Sequence, residues 1–275
     1  MTAGKFIPGR EWLYLKVYTG VKTSDIILEE SVAPLVQYLH NNNYIIKWFF
    51  IRYNDPRNHL RLRFELKDKG DYAIVLDAVS NALNPFIDSG EIADVISDTY
   101  EREIERYGQN TIVDAENLFC SNSLFTLQCL HYDEEKIMTT LYYIDQILDS
   151  LKLSVEEKTA WVKEYNDAFK KEFNADKNLN SQLDRKYRMF KIKYLDFIES
   201  EDYSLYRNEI IFTVKESGII LQNIIQNSTV SLPDFFQSIF HMDINRMFIS
   251  NQRVFEMIIY DYLYRYYKAI AFQKY

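Results

Sequence analysis

The sequence predicts an α+β fold: a small N-terminal ferredoxin-like antiparallel sheet, built βαββαβ, followed by a mainly helical C-terminal half. Three observations carry that expectation. Leu60, Leu62, Phe64 and Leu66 alternate strictly with His59, Arg61 and Arg63, the period of a strand with one buried face. Beyond about Ile112 the apolar residues recur at helical spacing instead. Only 7 Gly and 5 Pro punctuate 275 residues, so the regular elements are long.

The elements follow in order. Leu13, Leu15 and Val17 alternate with Trp12, Tyr14, Lys16 and Tyr18 in a first strand. A helix over about Thr23 to Asn41 carries Ile26, Ile27, Val32, Leu35 and Leu39. Ile45 to Tyr53 is a dense apolar strand, and Asp55-Pro56-Arg57-Asn58 supplies turn chemistry before the arginine strand. Lys67-Asp68-Lys69-Gly70 is a turn, Tyr72 to Leu83 a helix, and Ile92 to about Arg102 a fourth extended segment. Further on, Ser154-Val155-Glu156-Glu157 has the form of a capping box opening a helix to Phe173. Helices are expected over Ser181–Glu199, Ser204–Gln226, Leu232–Ile249 and Arg253–Phe272. Pro233 suits a first-turn position after Ser231, and Asn174 to Asn180 is the expected flexible connection. The expected division is a sheet subdomain over residues 1–110 and a helical subdomain over 111–275.

Composition narrows the function. A net charge of −8 argues against general nucleic-acid binding, though a local cationic pocket is compatible with it. No apolar run reaches membrane-spanning length, and the first residues lack the apolar core of a signal peptide, so a cytoplasmic protein is expected. Cys120 and Cys129 suggest neither a bridge nor a zinc site. His40, His59, His131 and His241 show no metal-ligand spacing, and no glycine-rich phosphate loop or nucleophile elbow is present. Nothing in the sequence calls for a nucleotide, flavin or metal. The 22 Tyr suggest amphipathic surfaces that grip a flexible chain, and they are compatible with a homodimer that the sequence does not establish.

Three constellations could carry chemistry. In a ferredoxin-like sheet the helices cover Leu13, Leu15, Val17, Leu60, Leu62 and Phe64, turning Trp12, Tyr14, Lys16, Tyr18, His59, Arg61 and Arg63 outward. Two guanidiniums two residues apart on a strand point the same way, roughly 6.5–7 Å apart. They form either a solvated charged face or a carboxylate-holding pair. Glu103 and Arg106 share a face if their segment is helical, as an exposed ion pair or as charges aimed at a ligand. His241 and Asn245 lie one turn apart on an apolar helix, where a histidine is a core residue or a proton carrier.

Together these blocks resemble the C-terminal elimination domain of lantibiotic dehydratases, also called thiopeptide-type bacteriocin biosynthesis proteins. The likeness runs from about Arg10 to Phe272. It rests on Trp12-Leu13-Tyr14-Leu15-Lys16, on Arg52-Tyr53-x-Asp55-Pro56-x-x-His59-Leu60-Arg61-Leu62-Arg63, on Tyr100-x-Arg102-Glu103-x-x-Arg106-Tyr107-Gly108, and on His241-Met242-x-x-Asn245-Arg246. Gln109 departs from the pattern where a second glycine often follows, as does the Met-Phe-Ile run after Arg246.

The resemblance implies elimination of glutamate from a glutamylated Ser or Thr of a ribosomal precursor peptide, giving dehydroalanine or dehydrobutyrine. It implies a stand-alone elimination subunit whose partners are the precursor peptide and a separate glutamyl-tRNA-dependent glutamylating protein. Arg61, Arg63, Glu103, Arg106 and His241 are the implied catalytic set. Tyr14, Lys16, Arg52, His59 and Asn245 are the implied substrate-binding set. The alternatives are a pyridine-forming cycloaddition enzyme of thiopeptide biosynthesis and a non-catalytic precursor-binding subunit.

Overall fold

The computed structural model describes residues 3–132 and 135–273. Its packing divides the chain into two compact units. The first runs from the N-terminus to His131 and adds Gln222–Ser250; the second takes Tyr132–Leu221 and the chain from Asn251 onward. The expected boundary at residue 110 is therefore not where the packing divides. The first helix after it, and a late one near residue 240, belong with the sheet, whose second face and outer edge they help close.

The first unit opens with β1 (Lys5–Phe6) and β2 (Trp12–Thr19). One helical stretch follows, α1 (Thr23–Ile27), a π-turn (Leu28–Val32) and α2 (Ala33–Asn41). The widened turn precedes Pro34, which lacks the N–H that a regular helix would use there. Next come β3 (Ile45–Asn54), β4 (Asn58–Leu66), α3 (Tyr72–Asp88), β5 (Ile92–Ser97) and β6 (Tyr100–Glu101). β2 to β5 form one antiparallel sheet in the order β3-β4-β2-β5, while β1 pairs with β6 separately. The fourth extended segment is thus two short strands in two sheets.

Leu13, Leu15, Val17, Trp48, Phe50, Leu60, Leu62 and Phe64 form one core with Ile27, Leu28, Val32, Val75, Val79 and Leu83 from α1 to α3. The alternation correctly placed the helices on that face. The opposite face is not open as expected. Trp12, Tyr14 and Phe49 on it are buried. Trp12 and Tyr14 pack on Tyr100 of β6, with Phe6 of β1 also against Trp12. Phe49 packs on Phe119 of α5 (Ile112–Gln128), with α4 (Ile104–Tyr107) and α11 (Leu232–Met247) packed alongside. Three large aromatic side chains in a row are too apolar to leave in water. At Gly108 the chain turns from α4 into α5 with φ of 75°, where a side-chain Cβ would lie 2.9 Å from the Thr229 hydroxyl. That position admits only glycine.

The second unit is helical: α6 (Glu135–Ser150), α7 (Val155–Glu172), α8 (Lys177–Glu199), α9 (Ser204–Glu216) and α12 (Gln252–Gln273). Both hydrogen bonds of the capping box at Ser154 and Glu157 are present. α8 begins at Lys177, capped by Asp176, so a tight turn through Asn174 and the first turn of α8 stand where the linker was expected. The long helix expected over Ser204–Gln226 is broken at Ser217, and α10 (Gly218–Asn227) follows it. Tyr187, Tyr194, Tyr260, Tyr262 and Tyr267 are buried here. The Tyr267 hydroxyl donates to Asp145 at 2.7 Å, beside the ammonium of Lys158 at 2.6 Å. Much of the tyrosine content is therefore core with a polar tip, not a gripping surface. No helix among the described residues is long and apolar enough to cross a membrane.

Candidate functional site

The hairpin between β3 and β4 pairs Asn54 with Asn58, and that register fixes what stands beside each arginine. Phe49 lies opposite Arg63, Ile51 opposite Arg61 and Tyr53 opposite His59. On the other flank β2 sets Tyr14 beside Arg63, Lys16 beside Arg61 and Tyr18 beside His59. Five of the expected site residues, Tyr14, Lys16, His59, Arg61 and Arg63, therefore share one face in three adjacent rows.

Arg63 sits deepest. Its guanidinium carbon is 4.5 Å from the ring centre of Tyr14, 5.3 Å from Phe49 and 5.1 Å from Tyr100. The residue is 8% exposed, and its Nε has no hydrogen-bond partner. No carboxylate pairs with it among the described residues. Burial pulls its pKa below the ordinary arginine value, with the tyrosines and Glu103 pulling the other way. Ring faces attract the cation but supply no acceptor for its N–H groups.

Tyr100 is fixed from behind. Its hydroxyl donates to the fully buried Glu116 at 2.8 Å. The same carboxylate takes a two-pronged contact from Arg102, at 2.6 and 2.7 Å. That anchor holds the segment carrying Glu103 and Arg106, which are exposed and ion-paired at 3.3 Å. Glu103 lines a pocket with Arg63, Tyr100, Tyr107 and Met242, while Arg106 lines the wider groove alongside. Tyr107 donates to the Ser238 carbonyl, and burial pushes its phenol far above the usual range.

Arg61 is half-buried, its guanidinium carbon 3.4 Å from the ring centre of Tyr53. Its Nε donates to His59 Nε2 at 3.1 Å, and His59 Nδ1 lies 2.8 Å from the Arg57 carbonyl. Nδ1 must then carry the proton, leaving Nε2 as acceptor: a neutral imidazole. Burial, then the charges of Arg61, Lys16 and Arg57, lower the His59 pKa against the opposing backbone hydrogen bond. Because the folded value lies below that of the unfolded chain, the unfolded state binds the proton first on acidification. Stability is therefore expected to fall as pH drops below about 6.5. Urea titrations of the wild type and His59→Gln across that window check this; equal slopes would remove His59 from the linkage.

Lys16 contacts Asp98 at 2.5 Å, and that hydrogen bond raises the lysine and lowers the aspartate. Lys16 is thus held as an ammonium, poorly suited to remove a proton. Arg52 and Asn245, expected to bind substrate, are placed elsewhere. Arg52 points to the helix-covered face and contacts Asp25 at 2.6 Å, Ser24 at 2.8 Å and the Arg246 carbonyl at 2.9 Å. Asn245 takes the backbone N–H of Arg52 at 2.8 Å and donates to its carbonyl at 2.9 Å. The Asn245 amide and the Arg52 Nε hold α11 to the β3 edge, while the other two guanidinium nitrogens of Arg52 tie it to α1. His241 is half-buried one turn earlier on α11, next to the pocket-lining Met242.

Sequence reading missed Tyr53, Phe49, Tyr100, Asp98, Arg102 and Glu116. The first two were available once the Asp55–Asn58 turn fixed the hairpin register. Glu116 carries no local signal, because its partners come from other elements.

The chain is similar to three curated proteins. It is 28% identical over 179 residues to the subtilin biosynthesis protein SpaB of Bacillus subtilis, covering 60% of this chain and 17% of that one. It is 23% identical over 244 residues to the epidermin biosynthesis protein EpiB of Staphylococcus epidermidis, covering 87% and 24%. It is 30% identical over 120 residues to the nisin biosynthesis protein NisB of Lactococcus lactis subsp. lactis, covering 42% and 11%. These matches span about a quarter or less of each relative's length. The fold resembles the crystal structure of the tRNA dependent lantibiotic dehydratase MibB from Microbispora sp. 107891, with a TM-score of 0.73 and 18% identity over 100% of this chain and 29% of that one. It also resembles the pyridine synthase TbtD from thiomuracin biosynthesis, with a TM-score of 0.60 and 11% identity over 94% of this chain and 100% of that one. The family model for the C-terminal part of lantibiotic biosynthesis dehydratases matches residues 12–267, and the chain belongs to that family.

Proposed function

We propose that this chain eliminates glutamate from glutamylated Ser or Thr residues of a ribosomal precursor peptide, acting in the cytoplasm beside a separate glutamyl-tRNA-dependent glutamylating protein. The observation that carries the proposal is Arg63, a buried guanidinium among Tyr14, Phe49 and Tyr100 with no anion of its own among the described residues. A cation so placed lacks a carboxylate, and the reaction supplies one as its leaving group. The strand order β3-β4-β2-β5, fourth beside first beside third beside second within this sheet, supports a ferredoxin-like reading of the platform.

The step is a β-elimination. A base takes the Cα proton, the Cα–Cβ double bond forms, and the Cβ–O electron pair leaves with glutamate. Arg61 and Arg63 hold the departing carboxylate, with Arg106 adding positive charge and Glu103 orienting Arg106. His241 is assigned the proton, beside the pocket wall at Met242. Mass spectrometry of a glutamylated precursor incubated with this protein alone tests the reading. Loss of glutamate with a dehydrated residue left behind is expected, and an unchanged ester overturns it.

The fold likeness to the pyridine synthase over that protein's full length favours cycloaddition as the second reading. A peptide already containing two dehydroalanines separates the two, since ring formation would assign the cyclase. Binding of either peptide without conversion would assign a non-catalytic precursor-binding subunit.

A further inference from the structure

The two edges of the four-stranded sheet are treated in opposite ways. The outer edge of β3 is closed by side chains. Ser123 takes the Phe50 N–H at 3.3 Å, Arg246 Nε donates to the Phe50 carbonyl at 2.8 Å, and Asn245 holds both groups of Arg52. The outer edge of β5 is bare. Ala93, Asp94, Val95, Ile96 and Ser97 are all exposed. Asp98 donates to the Tyr14 carbonyl, so the alternation of an antiparallel ladder turns Asp94 and Ile96 inward to β2 and Val95 and Ser97 outward. Among the described residues nothing pairs with the outward amides of Val95 and Ser97. An exposed edge with apolar Val95 and Ile96 is a template for another strand.

We infer that the outer edge of β5 takes an extended segment of the substrate peptide as an added strand, an inference that rests on the proposed elimination reading. Register supports this occupant. Ile96, Lys16 and Arg61 stand in one row across the sheet, on one face. A residue paired beyond Ile96 on that face lies three strand spacings from Arg61, about 14 Å. A glutamylated seryl side chain and an arginine side chain together span that gap, so backbone pairing at β5 directs the ester toward the guanidiniums of Arg61 and Arg63. Charge is also suitable. Asp94 is paired with Arg57 and Asp98 with Lys16, leaving the track close to neutral. A second copy is disfavoured as occupant by the −8 charge that both copies would bring.

Val95→Pro tests it, because proline there removes an outward N–H and leaves the inner ladder intact. The probe is a labelled precursor fragment in which an amide replaces the glutamyl ester; the small comparison ligand is glutamyl-diaminopropionate alone. The variant is expected to bind the fragment about tenfold more weakly and the small ligand unchanged. Equal fragment binding by the two proteins would overturn the edge assignment and leave elimination standing. Failure of the wild type to bind either probe would remove the elimination reading, and this inference with it. Hydrogen exchange on the unaltered chain gives an answer independent of the variant's folding. Fragment-induced protection of Val95 and Ser97 is expected. Protection elsewhere overturns the inference, and concentration-dependent protection without fragment assigns the edge to a second copy instead.

Discussion

Replacing Arg63 by methionine is expected to slow glutamate release by about 10²–10³-fold, the scale for loss of one preorganised charge donor, while making the chain harder to unfold. The two effects have one cause. A buried guanidinium among three rings, with its Nε unsatisfied, is a desolvated charge without compensation. Methionine fills much of the same space, keeps the contact with Tyr14, Phe49 and Tyr100, and removes the charge. Stability is expected to rise by about 1 kcal/mol or more. Activity and urea midpoint measured on the same preparation separate the readings. A structural arginine would lose stability on replacement, and a dispensable one would change neither quantity. Arg63→Lys is the companion variant. An ammonium keeps the charge but not the planar fork that matches a carboxylate, so activity is expected to stay well below wild type.

The legible parts of this protein are those governed by short-range periodicity. Alternation over residues 58–66 places Leu60, Leu62 and Phe64 under the helices, and the Ser154 capping box is visible in four residues. Three of the resemblance blocks contain Arg61, Arg63, Glu103 and His241, but nothing in those blocks specifies what surrounds them. Arg63 meets Tyr100 from a separate two-stranded sheet, and Tyr100 depends on Glu116 from α5. Such contacts are set by tertiary packing, to which the local pattern is blind. The same limit explains the fate of the second face. Trp12, Tyr14 and Phe49 alternate as an exposed platform would, yet Phe6 and Tyr100 of the small β1–β6 sheet and Phe119 of α5 cover them. Arg52 and Asn245 show the converse error. A polar residue in a recurring motif suggests substrate binding, but a backbone that must be closed at a sheet edge needs the same donors and acceptors.

That structural role makes the last prediction the reverse of the first. Asn245→Ala is expected to lower stability by about 1–3 kcal/mol, because the Arg52 N–H and carbonyl lose their partner in a partly buried place. Arg246→Ala is expected to cost more, about 3–5 kcal/mol, since Arg246 is fully buried and is the charge partner of Asp243. Burial pushes the Asp243 carboxyl up to about 7, against the pull of Arg246. Below that value the carboxyl is protonated with or without its partner, so the Arg246→Ala deficit is expected to shrink between pH 8 and pH 5. Neither side chain is assigned to the reaction. Turnover per folded molecule of Asn245→Ala is therefore expected to stay within about twofold of wild type once the unfolded fraction is subtracted. A large loss of turnover in fully folded Asn245→Ala would return that residue to the substrate site. It would also point to opening of the β3 edge during the reaction, because both Oδ1 and Nδ2 of the amide are committed to the Arg52 backbone.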